Sequence, residues 1–327
     1  MKAAFIERTG PAREVLQVGD LPDPAPAAGE VLVRVHVAGI NPSDVKTRGG
    51  SSDRPPFAEP VVIHNDGAGE IVAVGAGVDK GRVGERVWLH NTDWVRPLGT
   101  AAELVAAPAA NAEPLLDGYG FDEGACFGVP LLTAYHGVMA GGPVDGRTVF
   151  VTGGAGAVGH YCVQIARAKG ATVIASASSD AKAAAAKEAG ADHTVNYRTE
   201  DVPAFVNDVT GGNGLDHYIE VNLSANGRML EAIMGYEGRV AVYGSDDPVA
   251  AFASRMLRVR QVAMYFYNVY ALRPDILRAA KDDLATMMQA KRIETLIDTR
   301  FTLDDIAAAH EAVEGGRLLG NAVVEVG

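Results

Sequence analysis

The chain has 327 residues, room for two domains, and 48% of them are apolar, enough for ordinary buried cores. Its 29 basic and 41 acidic residues leave a net charge of −12, which argues against nucleic acid or any other polyanion as a partner. No run approaches the roughly 20 apolar residues of a membrane span, and residues 1–8 lack the apolar core of a signal peptide, so a cytoplasmic protein is expected.

Along the first third the signals are those of a β-rich domain. Residues 22–26, Pro-Asp-Pro-Ala-Pro, read as an extended connector. Partly alternating apolar runs at 31–37, 69–75 and 83–89 read as strands, with Gly and Pro as punctuation. After about residue 122 the rhythm changes to strand-helix alternation. Strands are expected at 148–152, 172–176, 194–195, 216–220, 239–243 and 261–266. Helices are expected at 158–168, 180–189, 202–209, 225–234 and 249–257, with Asp180 capping the second of them and Gly190 just past its end. Such alternation predicts an α/β fold with a doubly wound parallel sheet. A helix at 275–290 and a strand at 322–326 then return the chain to the first domain. The expected division is a β-rich domain over 1–122, a dinucleotide-binding domain over 123–268 and a returning segment over 269–327. Cys126 and Cys162, the two cysteines, stand in apolar surroundings and read as buried free thiols of a reducing compartment.

The most informative stretch is 149–159, Val-Phe-Val-Thr-Gly-Gly-Ala-Gly-Ala-Val-Gly, which runs into a helix-period segment. Strand, glycine turn and helix in that order form a cradle for a dinucleotide pyrophosphate. Gly153 and Gly154 reverse the chain, and Gly156 leaves room for the phosphates. Gly159 lets the helix approach the strand, while Ala155, Ala157 and Val158 complete the turn. The spaced glycines are 153, 156 and 159, a departure from strict G-x-G-x-x-G. About 20 residues on, an NAD site places a carboxylate for the ribose 2′-hydroxyl. Here the second strand ends in Ser176, Ala177, Ser178 and Ser179, followed by Lys182, with Tyr197 and Arg198 after the next strand. Hydroxyls and cations without an acid suit a 2′-phosphate, so NADPH is the expected cofactor. Val221-Asn222 and Gly244-Ser245 lie at the carboxyl ends of predicted strands, where open α/β sheets receive ligands. A Tyr-x-x-x-Lys pair of the short-chain dehydrogenase kind is missing, since Tyr135, Tyr161 and Tyr197 have no Lys four residues on.

Several segments together resemble the medium-chain dehydrogenase/reductase superfamily, and most of all its zinc-independent, zeta-crystallin-like quinone oxidoreductase branch. They are 38–46 (Ala-Gly-Ile-Asn-Pro-Ser-Asp-Val-Lys), 65–70 (Asn-Asp-Gly-Ala-Gly-Glu), 74–78 with 83–87, 132–135, 190–192 with 195–198, and 310–316. The resemblance covers nearly the full length and implies a GroES-like catalytic domain beside the Rossmann sheet. Zinc-dependent members carry a Cys where Asn41 stands and His-Glu where Asn65 and Asp66 stand, and their four-cysteine lobe has no counterpart here. An amide is a poor zinc ligand, and His64 sits one position early, so no metal is expected.

Without a Lewis acid, a substrate carbonyl must be polarised by hydrogen bonds. The resemblance implies hydride transfer from NADPH to a small-molecule quinone or α,β-unsaturated carbonyl, with Asn41 as a donor on the electrophile side. Lys46 stays open between a donor to substrate, a contact to cofactor and a plain surface lysine; Ser43 and Asp44 are weaker candidates. Thr133 matches a family threonine near the nicotinamide. Tyr265 and Phe266 complete the candidate cofactor residues, and their strand is expected at a sheet edge that pairs with its copy in a homodimer. The alternative from another class is an NADPH-binding protein with little turnover, in a structural or sensor role.

Overall fold

The computed structural model describes residues 1–50, 60–94 and 96–327. It divides into two units, residues 1–130 with 295–327, and residues 131–294.

The first unit opens with β1 (Lys2–Ile6), β2 (Gln17–Asp20), β3 (Glu30–Ile40), β4 (Val61–Val62), β5 (Asp66–Val74), β6 (Arg86–Leu89), β7 (Leu104–Pro108) and β8 (Ala112–Pro114). The expected alternation at 31–37 is the spine of β3: Val31, Val33 and Val35 are at most 1% exposed and face the core, as a period-2 pattern requires. In the second unit follow β9 (Thr148–Val151), β10 (Thr172–Ala177), β11 (His193–Asn196), β12 (Leu215–Glu220), β13 (Met234–Val242) and β14 (Ala263–Phe266). The chain then returns to the first unit with β15 (Ile297–Thr302) and β16 (Asn321–Glu325).

The first unit holds a three-stranded sheet, β2-β1-β4, and a larger sheet ordered β15-β16-β3-β5-β6-β8, with β7 also paired to β3. β3 and β5 pair antiparallel, so Gly39 faces Asp66 across the ladder. The helix Pro42–Gly49 starts directly after β3.

The second unit is a six-stranded parallel sheet ordered β11-β10-β9-β12-β13-β14. This is the doubly wound order of a complete dinucleotide-binding domain, and its direction of winding reverses between β9 and β12. The expected strands and most helices lie in place. Two expectations are corrected. The helix at 180–189 spans Asp180–Glu188 and is capped by Ser179, whose hydroxyl accepts from the Lys182 N–H at 3.4 Å, not by Asp180. The expected helix at 225–234 is broken into Leu223–Asn226, a 3₁₀ turn and Leu230–Ile233. Met234 already pairs with Leu215, which ends the helix there.

The units divide at 130/131 and 294/295, later than the expected 122 and 268. The helix Pro274–Gln289 belongs with the parallel sheet: Asp283 accepts a hydrogen bond from Tyr135 and pairs with Lys169. Gln164 and the backbone of Glu294 bond reciprocally, at 2.8 and 2.7 Å.

Candidate active site

The glycine turn joins β9 to the helix Ala157–Ala168. Two N–H groups of the turn are tied to the end of β10: Gly153 donates to Ser176 Oγ at 3.0 Å, and Gly154 to the Ser176 carbonyl at 2.9 Å. Ser176 is buried, and its hydroxyl holds the turn from below. Thr152 fastens the other side, donating to the Ile219 carbonyl and accepting from the Val221 N–H, both at 3.0 Å. The turn therefore sits at the reversal of the sheet, gripped by β10 and β12.

Within the turn the glycines have different work. Gly153 takes φ +63°, a left-handed conformation that costs glycine little. At Gly159 an added Cβ would lie 2.1 Å from the Gly153 carbonyl oxygen, so the helix passes too close for any side chain. At Gly156, the N-cap, an added Cβ would meet only that same oxygen, at 3.3 Å. Beyond that one close contact, no other atom lies within 4 Å of the position. With the unpaired N–H groups of a helix's first turn, that opening fits a pyrophosphate. Gly153, Gly156, Ala157 and Val158 are half-buried, Gly154 and Ala155 buried.

The candidate 2′ residues leave the ends of neighbouring strands, β10 and β11, where Ala177 is in register with Asn196. Ser178 and Lys182 are half-buried, while Ser179, Tyr197 and Arg198 are exposed. No carboxylate stands at the tip of β10, and Asp180, one residue beyond the cap, is exposed. At the ends of β12 and β13, a ring of small polar groups joins two loops. Asn222 Nδ2 donates to Asp246 at 2.5 Å, and the Asp246 N–H donates back to Asn222 Oδ1 at 3.1 Å. Ser245 Oγ accepts from the Ser224 N–H, the Gly244 carbonyl accepts from Leu223, and Val221 is exposed. Beneath them is Glu220, fully buried, which accepts from the Asn222 N–H and from Asn226. Burial pushes its carboxyl pKa up, against those hydrogen bonds. Thr133 is buried on the helix Leu132–Met139, where its carbonyl accepts from Tyr267. Tyr265 and Phe266 lie on the edge strand β14 and are exposed.

The first unit carries a buried polar cluster built on Asn41. This residue caps the helix Pro42–Gly49, and Asp44 reaches back to accept its N–H at 2.7 Å, one half of a capping box. Asn41 Nδ2 donates to Asp66 Oδ2 at 2.8 Å, and Asn65 Nδ2 donates to Asp44 Oδ1 at 3.1 Å. All four residues are at most 3% exposed. Burial, with Asp93 nearby, pushes Asp44 up to about 7, and burial with the Asp44 charge raises Asp66 well above the carboxylate range. Lys46 is exposed on the same helix and Ser43 half-buried. His64 is fully buried, and its Nε2 meets His310 Nε2 at 3.1 Å. Among the described residues no group of three or more His, Cys, Asp and Glu side chains is placed to hold a metal ion. Asp66 was legible only as a landmark of the resemblance; its bond to a residue 25 positions away carries no local signal.

Residues 27–117 match the alcohol dehydrogenase GroES-like domain family, and residues 157–286 match the family described as zinc-binding dehydrogenase. Among curated proteins, the quinone oxidoreductase of Homo sapiens is 27% identical over 93% of this chain and 91% of its own. Among solved structures, an NAD-dependent alcohol dehydrogenase has a TM-score of 0.90 at 28% identity, with both chains fully covered. A mycobacterial protein complexed with NADPH has a TM-score of 0.89 at 27% identity, covering 99% of this chain and 100% of its own.

Proposed function

Since the chain belongs to the medium-chain dehydrogenase/reductase superfamily and to its quinone-oxidoreductase type, we propose that it is an NADPH-dependent reductase acting on a quinone or an α,β-unsaturated carbonyl without a metal. The observation that carries this reading is the donor set of the polar cluster. Where a zinc enzyme presents thiolate and imidazole, this chain presents the amides Asn41 and Asn65, which donate hydrogen bonds and bind zinc poorly. The relative named quinone oxidoreductase supports the substrate class, and the NADPH complex of a relative supports the cofactor.

With NADPH held over the glycine turn, its nicotinamide would supply a hydride. The chain's own contributions follow from their chemistry. The first turn of the helix Ala157–Ala168, with Gly156 below it, holds the pyrophosphate. Ser178, Ser179, Lys182 and Arg198 supply donors and charge for the 2′-phosphate. Asn41 has a second Nδ2–H beyond the one given to Asp66, and it stabilises the oxyanion as charge moves onto the substrate oxygen. A conjugated acceptor would take up that hydride together with one proton from solvent or a nearby side chain, an enone at its β-carbon and α-carbon, a quinone to give its hydroquinone. A neutral amide N–H stabilises an alkoxide less than a Lewis-acid metal does, so saturated alcohols are expected to be poor substrates.

The test is NADPH oxidation against quinones, enones and saturated ketones, beside alcohol oxidation with NADP⁺. Turnover of the conjugated acceptors alone is expected, with no activity lost to chelators. Turnover of alcohols alone overturns the reductase reading. NADPH binding with no turnover on the whole panel makes the low-turnover binding protein the better account.

A further inference from the structure

We propose that Asp66 is the positioning residue that fixes which end of the Asn41 amide serves the substrate, by way of a backbone donor that cannot rotate. The proposal rests on Asn41 being the oxyanion donor of the reading above.

A side-chain amide can turn over and exchange its donor for its acceptor end at little intrinsic cost, so a catalytic asparagine needs something that tells the two ends apart. In this chain Asp66 Oδ2 accepts two hydrogen bonds, from Asn41 Nδ2 at 2.8 Å and from the Val129 N–H at 2.7 Å. The Val129 N–H belongs to the main chain of the short π-helical turn Phe127–Leu131, so it is a donor in every state. It therefore demands an acceptor at Oδ2, and an acceptor at Oδ2 demands the N–H end of Asn41. The carbonyl end of the amide is excluded from that contact, and the second N–H is left for a substrate oxygen.

The surroundings hold Asp66 itself in place. It is fully buried, it pairs with Gly39 at the end of the β3–β5 ladder, and Thr100 donates its hydroxyl to the Asp66 carbonyl. A Cβ on Gly128 would fall 2.0 Å from Asp66 Oδ1, so it is the glycine at 128 that leaves room for the carboxyl. Oδ1 has no hydrogen-bond partner. A carboxylate with one bare, buried oxygen is costly, whereas a neutral acid keeps Oδ2 as an acceptor, and burial raises the Asp66 pKa in the direction that favours it. Orientation, not charge, is what the residue supplies.

That distinction gives the experiment, made on the full chain with a conjugated acceptor. Asp66→Asn keeps a carbonyl oxygen for Val129 and Asn41, because the Val129 N–H dictates its orientation; kcat should stay within about threefold of the parent and its pH profile unchanged. Asp66→Ala removes the reference acceptor, and kcat should fall about 100-fold, as for loss of an oxyanion donor, with little change in KM for NADPH. In an Asn41→Ala background, Asp66→Ala should add nothing further. Equal losses in both backgrounds, or an Asp66→Asn enzyme as slow as Asp66→Ala, overturns the proposal. A readout free of activity is the Asn41 side-chain amide in ¹⁵N spectra. Its hydrogen exchange should be slow in the parent and in Asp66→Asn and fast in Asp66→Ala; slow exchange in all three overturns the assigned orientation. If no acceptor is reduced at all, the functional reading falls, while the exchange measurement still decides how Asp66 holds Asn41.

Discussion

Lys182 shows what a single residue of the proposed cofactor site is asked to do. It is half-buried one turn beyond the Ser179 cap, on the helix that follows β10, a strand whose tip carries no acid for a ribose hydroxyl. Lys182→Ala should raise KM for NADPH by the loss of one charge-assisted contact, about 1.5–3 kcal/mol, and leave KM for NADH nearly unchanged. Steady-state kinetics with both cofactors checks this, and equal or better use of NADH by the parent protein overturns it. Asp44 is the contrasting case, a residue whose state was invisible in the chain. Its place in Asn-Pro-Ser-Asp reads as a turn-former, and only burial in the fold, with Asp93 nearby and against the hydrogen bonds from Asn41 and Asn65, makes it an acid held up to about 7. The native state thus keeps this proton to about pH 7, whereas the unfolded chain gives it up near 4. The stability it contributes is full below about pH 4 and is lost as pH rises toward 7. Asp44→Asn, in which Asn65 rotates its amide to match, should be increasingly favoured over the parent across that window. Denaturant titrations at several pH values measure it, and a parent-to-variant difference that stays constant from pH 4 to 7 contradicts the burial argument.

The elements of the parallel sheet were legible because each is announced by local physics: a short apolar strand, a glycine stop, a cap. The elements that were not legible end for tertiary reasons. The stretch 225–234 has helical composition, yet Met234 is claimed by Leu215 of β12, and pairing across a sheet outweighs propensity. The glycine turn joins both kinds of information, since its glycines look alike in sequence and differ in space. Gly159→Ala places a Cβ against the Gly153 carbonyl and should cost about 1–3 kcal/mol, lowering Tm by several degrees. Gly156→Ala meets that oxygen at 3.3 Å, a tight contact that a shift of a few tenths of an ångström relieves, and keeps an extended backbone open to any residue, φ −83° and ψ 172°. It should leave Tm nearly unchanged and weaken NADPH binding about tenfold or more, because the methyl occupies the phosphate's space. Calorimetric unfolding beside NADPH titration separates the two; a Gly156→Ala protein that binds NADPH like the parent removes the pyrophosphate from this turn.

At the scale of the whole chain, the doubly wound parallel sheet followed from alternation, whereas the unit boundaries did not, since the periodicity of the helix Pro274–Gln289 does not say which sheet it will cover. No helix among the described residues is long and apolar enough to cross a membrane. Alternation does say where the sheet stops, and β14 is its last strand, with main-chain groups on one side that meet no neighbouring strand within the sheet. The two edges are unequal. β11 at the opposite edge reads His-Thr-Val-Asn and is half-buried or buried throughout, whereas β14 reads Ala-Met-Tyr-Phe, with Tyr265 38% and Phe266 63% exposed. Natural edges are commonly blunted by charge or proline, and β14 has neither. A second copy related by a two-fold axis offers the same edge in antiparallel orientation and covers both aromatic rings, so a C₂ dimer with a continuous sheet is the expected assembly. Light scattering at micromolar concentration should return the mass of two chains. Phe266→Lys brings two like charges together across such an axis and should shift the mass toward one chain without lowering the helix and strand content seen by circular dichroism. A parent protein that is monomeric at those concentrations removes β14 as an interface.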